Sequence, residues 1–215
     1  MKKVIEITGP AGVGKSFLCH KLCSNLDAIQ QKRPSIFSLP LIKSFSIIPF
    51  LFLLKRGRFH IYINFLINAA KWKIIKKSKQ GIYIIDEGPW HLLCGSLLPR
   101  VSSQRKKTFL KNWKFFMDLP DIIVYLKAEP KFIQTRRMAR NRKKEKTLDL
   151  KEIEDAIYDF ELSLNITKDE YRDIEFITFK LEEDTSIDIL SDSMRKIFDN
   201  NIDRINLQNE INLHI

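Results

Sequence analysis

At 215 residues, with 44% hydrophobic and 29% charged residues, the chain has the make-up of one globular domain with a sizeable core, which excludes a disordered or fibrous protein. Its net charge of +11 selects anionic partners: nucleotides, phosphorylated metabolites, nucleic acid or an anionic membrane. Three cysteines, Cys19, Cys23 and Cys94, are too few for a disulfide framework; with a leading apolar run too short for a secretory signal, they predict a reduced, cytoplasmic setting.

The first element is a short apolar strand, Val4 to Thr8, which runs into Gly9-Pro10-Ala11-Gly12-Val13-Gly14-Lys15-Ser16. This octapeptide fits G-x-x-x-x-G-K-[ST], the phosphate-binding P-loop. Glycines allow positive φ and leave room for phosphate oxygens beside the main chain. Successive N–H groups then form an anion-binding nest, and the helix that begins at about Gly14 turns its positive end to the same place. Lys15 would reach the β- and γ-phosphates and the Ser16 hydroxyl would sit on Mg²⁺. Glu6 puts a charge into a buried strand and so demands a partner, which the sequence does not name.

After the first helix, Gln31-Lys32-Arg33-Pro34 is a break, and Ser35 to Leu39 reads as the second strand. Leu41 to Leu54 is strongly apolar but carries Lys43 and Pro49 and falls short of the roughly 20 residues of a membrane span. With Lys55, Arg56 and Arg58 following, peripheral membrane contact is the lesser reading of this stretch and a pocket wall the preferred one. Phe59 to Ile75 reads as a helix closing in a lysine cluster.

Gly81-Ile82-Tyr83-Ile84-Ile85-Asp86-Glu87 is a continuous apolar run ending in two carboxylates, the pattern of a strand buried on both faces of a parallel sheet. An Asp at the end of such a strand holds Mg²⁺ in P-loop proteins. Gly88-Pro89 breaks the strand, and Trp90 to Met117 reads as helical with an interruption at 97–100. Asp121 to Leu126 is the next core strand, and a helix with Gln134, Arg136, Arg137 and Arg140 follows it. A helix from Asp149 to Tyr171, with Asp149 and Glu152 in capping-box spacing, precedes the last strand, Glu175 to Leu181. Thr185 to Phe198 reads as the closing helix. Strands alternating with helices give an α/β fold with a parallel sheet. The expected division is a kinase-like domain over 1–199, with an acceptor pocket at about 39–79, a basic lid at about 134–148, and a C-terminal tail over 200–215.

The P-loop on the first strand, the strand ending in Asp86-Glu87-Gly88, the strand Val124-Tyr125-Leu126-Lys127-Ala128-Glu129-Pro130, and the arginines from Arg136 to Arg142 together resemble the nucleoside-monophosphate-kinase-like group of P-loop kinases. Thymidylate kinases and deoxynucleoside kinases are the members it most resembles. The resemblance runs from Lys2 to about Ile197. It implies a three-layer fold with five parallel strands in the order 2-3-1-4-5. It also implies an arginine lid closing over ATP, and adenine packed near the loop Leu181 to Asp184. Arg137 and Arg140 become the candidate catalytic lid arginines, and helical spacing allows them to share a face. The nucleotide-binding set is Gly9, Pro10, Ala11, Gly12, Val13, Gly14, Lys15, Ser16, Phe17 and Arg136, and the metal set is Ser16 and Asp86.

Thymidylate kinases usually have an Arg after the strand-ending Asp, where it meets the acceptor's phosphate; here Glu87 stands instead. A carboxylate repels a phosphate but can accept the proton of an attacking hydroxyl, as the Glu of deoxynucleoside kinases does. The expected activity is therefore ATP-dependent transfer of the γ-phosphate to a small alcohol (nucleoside, sugar or other), with Lys15, Glu87, Arg137 and Arg140 as catalytic residues. The alternatives are a thymidylate-like nucleoside monophosphate kinase and a P-loop ATPase or switch acting with a protein or nucleic-acid partner. Nucleic acid is disfavoured as a partner because no zinc finger or aromatic–basic interleaving accompanies the charge. A homodimer is compatible with the sequence.

Overall fold

The apolar runs form strands because their β-branched and aromatic residues pack on both faces of a pleated surface. The computed structural model describes residues 2–25, 29–30, 81–86, 88–92, 94–95, 102–112, 119–140, 149–182 and 190–196, with single positions between 67 and 77. In chain order the elements are β1 (Lys2–Thr8), α1 (Lys15–Asn25), β2 (Ile29–Gln30), β3 (Gly81–Asp86), α2 (Pro89–Leu92) and α3 (Ser103–Asn112). They continue with β4 (Ile122–Ala128), α4 (Pro130–Ala139), α5 (Leu150–Glu170) and β5 (Glu175–Leu181). A last helical stretch occupies 190–196.

The sheet is parallel and five-stranded, in the order β2-β3-β1-β4-β5 that the family resemblance implies. Its second strand is the two-residue Ile29–Gln30, upstream of the expected one. The stretch 35–39 lies outside the described residues, as do the apolar stretch 41–54, Glu87, the region 141–148, the loop 183–189 and the tail. Among the described residues no helix is long and apolar enough to cross a membrane.

Alternation along the strands divides the core into two layers. On one face Val4, Tyr83, Ile85, Ile123 and Tyr125 pack with Trp90, Cys94, Leu110, Phe160 and Leu164. On the other, Ile5, Ile7, Ile84, Ile122, Val124 and Leu126 pack with Leu18, Cys19 and Leu22 of α1, Ile133 of α4 and Met194. The helix α5 serves both layers, giving Ile153 to the second and Phe160 and Leu164 to the first. Asp149 stands at its N-cap as expected, with its backbone carbonyl accepting from Ile153 N–H at 3.3 Å, but its side chain makes no capping bond. All three cysteines are free thiols.

The first layer carries buried polar groups. Phe160 stacks on Tyr125 and meets Trp90 edge-on, each at 5.4 Å between centroids, and the Trp90 indole N–H donates to Thr167 Oγ1 at 3.1 Å. Fully buried Lys106 of α3 pairs with Asp159 of α5. Removing one member of a buried pair leaves a charge in the core, so Asp159→Ala is expected to cost about 3 kcal/mol or more of unfolding free energy, read by urea denaturation. Lys106→Met combined with Asp159→Leu should recover most of that loss.

Burial, with the Glu161 carboxylate beside it, raises the Tyr125 hydroxyl above its ordinary value. The native state then keeps a proton that the unfolded chain releases near pH 10, so this stability is present below about pH 10 and is lost above it. Melting temperature should fall between pH 9 and pH 11 less steeply in Tyr125→Phe than in the parent chain.

Candidate phosphate-binding site

The P-loop leaves the C-terminal end of β1, the central strand, and leads directly into α1. Gly9, Gly12 and Gly14 have φ of 144°, 98° and 108°, the region where a side chain is strained. Close approach adds a second requirement. A Cβ on Gly9 would sit 2.5 Å from the carbonyl oxygen of Leu126, and one on Gly12 would sit 2.9 Å from Cγ of Arg137.

The loop's carbonyls have identifiable donors. Lys15, 4% exposed, donates from Nζ to the carbonyls of Gly9 at 3.0 Å and Pro10 at 3.1 Å. Arg137 Nε donates to Ala11 O at 2.8 Å, and Arg136 Nη1 to Val13 O at 3.3 Å. Val13 N–H also meets Pro10 O, and Leu18 N–H meets Gly14 O. A nest that aims its N–H groups at an anion turns its carbonyls the other way, and here three cationic side chains receive them. The charge also adds positive potential around the loop.

This places two of the expected lid arginines on the loop itself. Arg137 is 9% exposed and lies against Gly12, while Arg136 also sits over the Phe132 ring at 5.1 Å. They share α4 because Pro130 fixes its first turn and Ile133 anchors its inner face in the core. Arg140, at the helix's C-cap, is exposed. Gln134 to Ala139, the start of the expected lid, belong to the second half of α4. Sequence reasoning could not see the arginine–loop bonds, which join residues 123 and 126 positions apart. Phe17, immediately after Ser16, is 60% exposed.

Asp86 closes β3 and lies opposite Ile7 of β1, two residues before the loop. Ser16, in the first turn of α1, is exposed. Hydroxyl and carboxylate are hard oxygen donors. Among the described residues no three His, Cys, Asp or Glu side chains gather into a metal cage. A sparse oxygen set suits Mg²⁺, which keeps waters and substrate phosphates as its other ligands. The residues present fit that ion.

The buried Glu6 meets the short helix α2 after β3. Its Oε1 accepts the His91 backbone N–H at 2.7 Å, and Thr8 Oγ1 lies 2.9 Å from His91 Nδ1. A separate hollow of about 370 Å³ at the ends of β4 and β5 is lined by Lys127, Glu129, Pro130, Ile157, Tyr158 and Lys180. Its two lysines are engaged by Glu161 at 2.7 Å and Glu182 at 3.1 Å, so the loop is the better place for an anion.

A glycine-lysine loop at the end of the central strand of a β2-β3-β1-β4-β5 parallel sheet defines a P-loop kinase fold. The solved structures that share it include two of a deoxyadenosine kinase. One is a deoxyadenosine kinase from M. mycoides with bound dATP, at a TM-score of 0.58 and 16% identity, covering 89% of this chain and 99% of that one. The other is the M. mycoides deoxyadenosine kinase with products dCMP and a flexible dCDP bound, at a TM-score of 0.55 and 18% identity, covering 92% and 98%. At such identities the likeness is one of fold. No family model and no curated protein matches the chain.

Proposed function

We propose that the chain is an ATP-dependent phosphotransferase that moves the γ-phosphate to a hydroxyl of a small molecule, with a nucleoside as the favoured acceptor. The observation that carries this is the P-loop whose carbonyls are met by Lys15, Arg136 and Arg137 while Asp86 ends the adjacent strand. The backbone N–H groups from Gly12 to Ser16 hold the β- and γ-phosphates, and Lys15 moves from its loop carbonyls onto them. Ser16 and Asp86 would hold Mg²⁺, which would neutralise charge on the phosphates when bound. Arg140, exposed at the end of α4, supplies the guanidinium that meets charge developing on the transferring oxygens.

The preference for a hydroxyl rests on Glu87 in the sequence, which takes the acceptor's proton and repels an acceptor phosphate. The preference for a nucleoside is supported by the fold shared with structures of deoxyadenosine kinase. The test is ADP release from MgATP against nucleosides, sugars, prenyl alcohols and nucleoside monophosphates. Turnover with one or more alcohols supports the proposal. Strong turnover with thymidylate or another monophosphate, and none with any alcohol, overturns it in favour of a nucleotide kinase.

A further inference from the structure

Position 6 is the middle of a central strand buried on both faces, where an apolar side chain would stabilise the fold at no desolvation cost. A carboxylate stands there with no exposure at all. It lies on the same face of β1 as Thr8, and both side chains reach one residue, His91. Glu6 accepts the His91 backbone N–H, and Thr8 meets the His91 ring, which also lies by Phe160 at 5.6 Å between centroids.

Gly88 has its own reason in this contact. A Cβ there would lie 2.5 Å from the carboxyl carbon of Glu6, so only glycine lets the carboxylate come up beneath the turn. The helix that follows, Pro89–Leu92, is fixed from two sides: Trp90 is buried in the core and donates to Thr167 Oγ1, and His91 takes the Glu6 contact. Beside the Trp90 anchor, the strand that ends in the P-loop therefore supplies a second tether for the segment that follows Asp86. Ladder pairing fixes Asp86 against Ile7, and the Glu6 contact fixes His91 five residues further on.

We infer that Glu6 and Thr8 are positioning residues: they fix Gly88 and His91, just downstream of Asp86, relative to the P-loop, and so set how Asp86 and Ser16 would present their oxygens to Mg²⁺. The inference rests on the phosphotransferase reading. Glu6 touches neither the nucleotide nor the metal; it acts through the backbone of the turn. Ligand-orienting groups of this kind typically change metal affinity about 10- to 100-fold when removed.

The experiment titrates Mg²⁺ while following binding of a fluorescent ATP analogue to the wild-type chain, Glu6→Gln and Glu6→Met. Thermal melting and hydrogen exchange at the His91 amide are measured on the same samples. Glu6→Gln keeps an acceptor oxygen for His91 and should shift half-saturating Mg²⁺ no more than about threefold. Glu6→Met keeps the length, loses the acceptor, and should raise half-saturating Mg²⁺ about 10-fold or more. In Glu6→Met, metal-free binding of the analogue in EDTA should stay within about twofold of wild type, melting should be unchanged or raised, and exchange at His91 should accelerate. Unchanged Mg²⁺ dependence in Glu6→Met, whatever its melting temperature, overturns the inference and leaves Glu6 a structural residue. If the wild-type chain binds no nucleotide with or without Mg²⁺, the phosphotransferase reading itself falls and the inference falls with it, an outcome distinct from the first.

Discussion

Replacing Lys15 by Met lowers kcat/KM for phosphoryl transfer by about a thousandfold, roughly 4 kcal/mol of transition-state stabilisation. Two losses combine. The γ-phosphate gains negative charge as it transfers, and a buried ammonium beside it acts where water does not screen it. The same ammonium donates to Gly9 O and Pro10 O, so the loop also loses two hydrogen bonds. Methionine keeps the stem and packs in a position that is 4% exposed, and the chain should melt within a few degrees of the parent. The check is steady-state kinetics with the acceptor found by the ADP-release screen, beside a thermal melt. Turnover within tenfold of wild type would remove Lys15 from the site.

Arg137→Ala weakens MgATP binding about 10- to 100-fold, equivalent to about 1.5–3 kcal/mol for a charged donor withdrawn from a loop carbonyl. Its Nε holds Ala11 O at 2.8 Å and its stem backs Gly12, so truncation removes both the donor and the wall behind the loop. Arg137→Lys should not rescue it, because a point charge on a flexible stem does not reproduce a guanidinium Nε bond made along a packed side chain. An arginine that swings in with a lid behaves differently: its removal lowers kcat and leaves ground-state binding of ATP nearly intact. Arg140→Ala, at the exposed end of α4, is expected to follow that second pattern. Calorimetric titration with MgATP, paired with kcat, separates the two. A lowered kcat with unchanged ATP affinity in Arg137→Ala would return that residue to the lid.

The parts legible in the sequence are those whose signal is local. The P-loop announces itself in eight consecutive residues, and its glycines take the positive φ that the motif demands. The strands β1, β3, β4 and β5 are long apolar runs, and each lies close to where its run predicts. The strand β2 escaped because two residues, Ile29 and Gln30, carry no periodicity, and edge strands need little hydrophobic signal. The partner of Glu6 was illegible because it is a backbone N–H 85 positions away, and a backbone donor leaves no trace in residue identity. The sequence reading expected the arginines to be phosphate-directed cations; their bonds to loop carbonyls depend on where α4 docks against Gly12. The Asp-Glu-Gly departure from the family pattern was visible as a difference; that its glycine makes room for the Glu6 carboxylate became visible only in three dimensions.

A crystal structure of the chain grown with Mg²⁺ and a non-hydrolysable ATP analogue tests the central claim most directly. The account predicts the β- and γ-phosphates within hydrogen-bond reach of the N–H groups from Gly12 to Ser16. It also predicts Lys15 Nζ turned from Gly9 O and Pro10 O onto a phosphate oxygen, and the ion between Ser16 Oγ and the Asp86 carboxylate. A nucleotide seated instead in the hollow beside Tyr158, with the loop's lysine still on its own carbonyls, would contradict it.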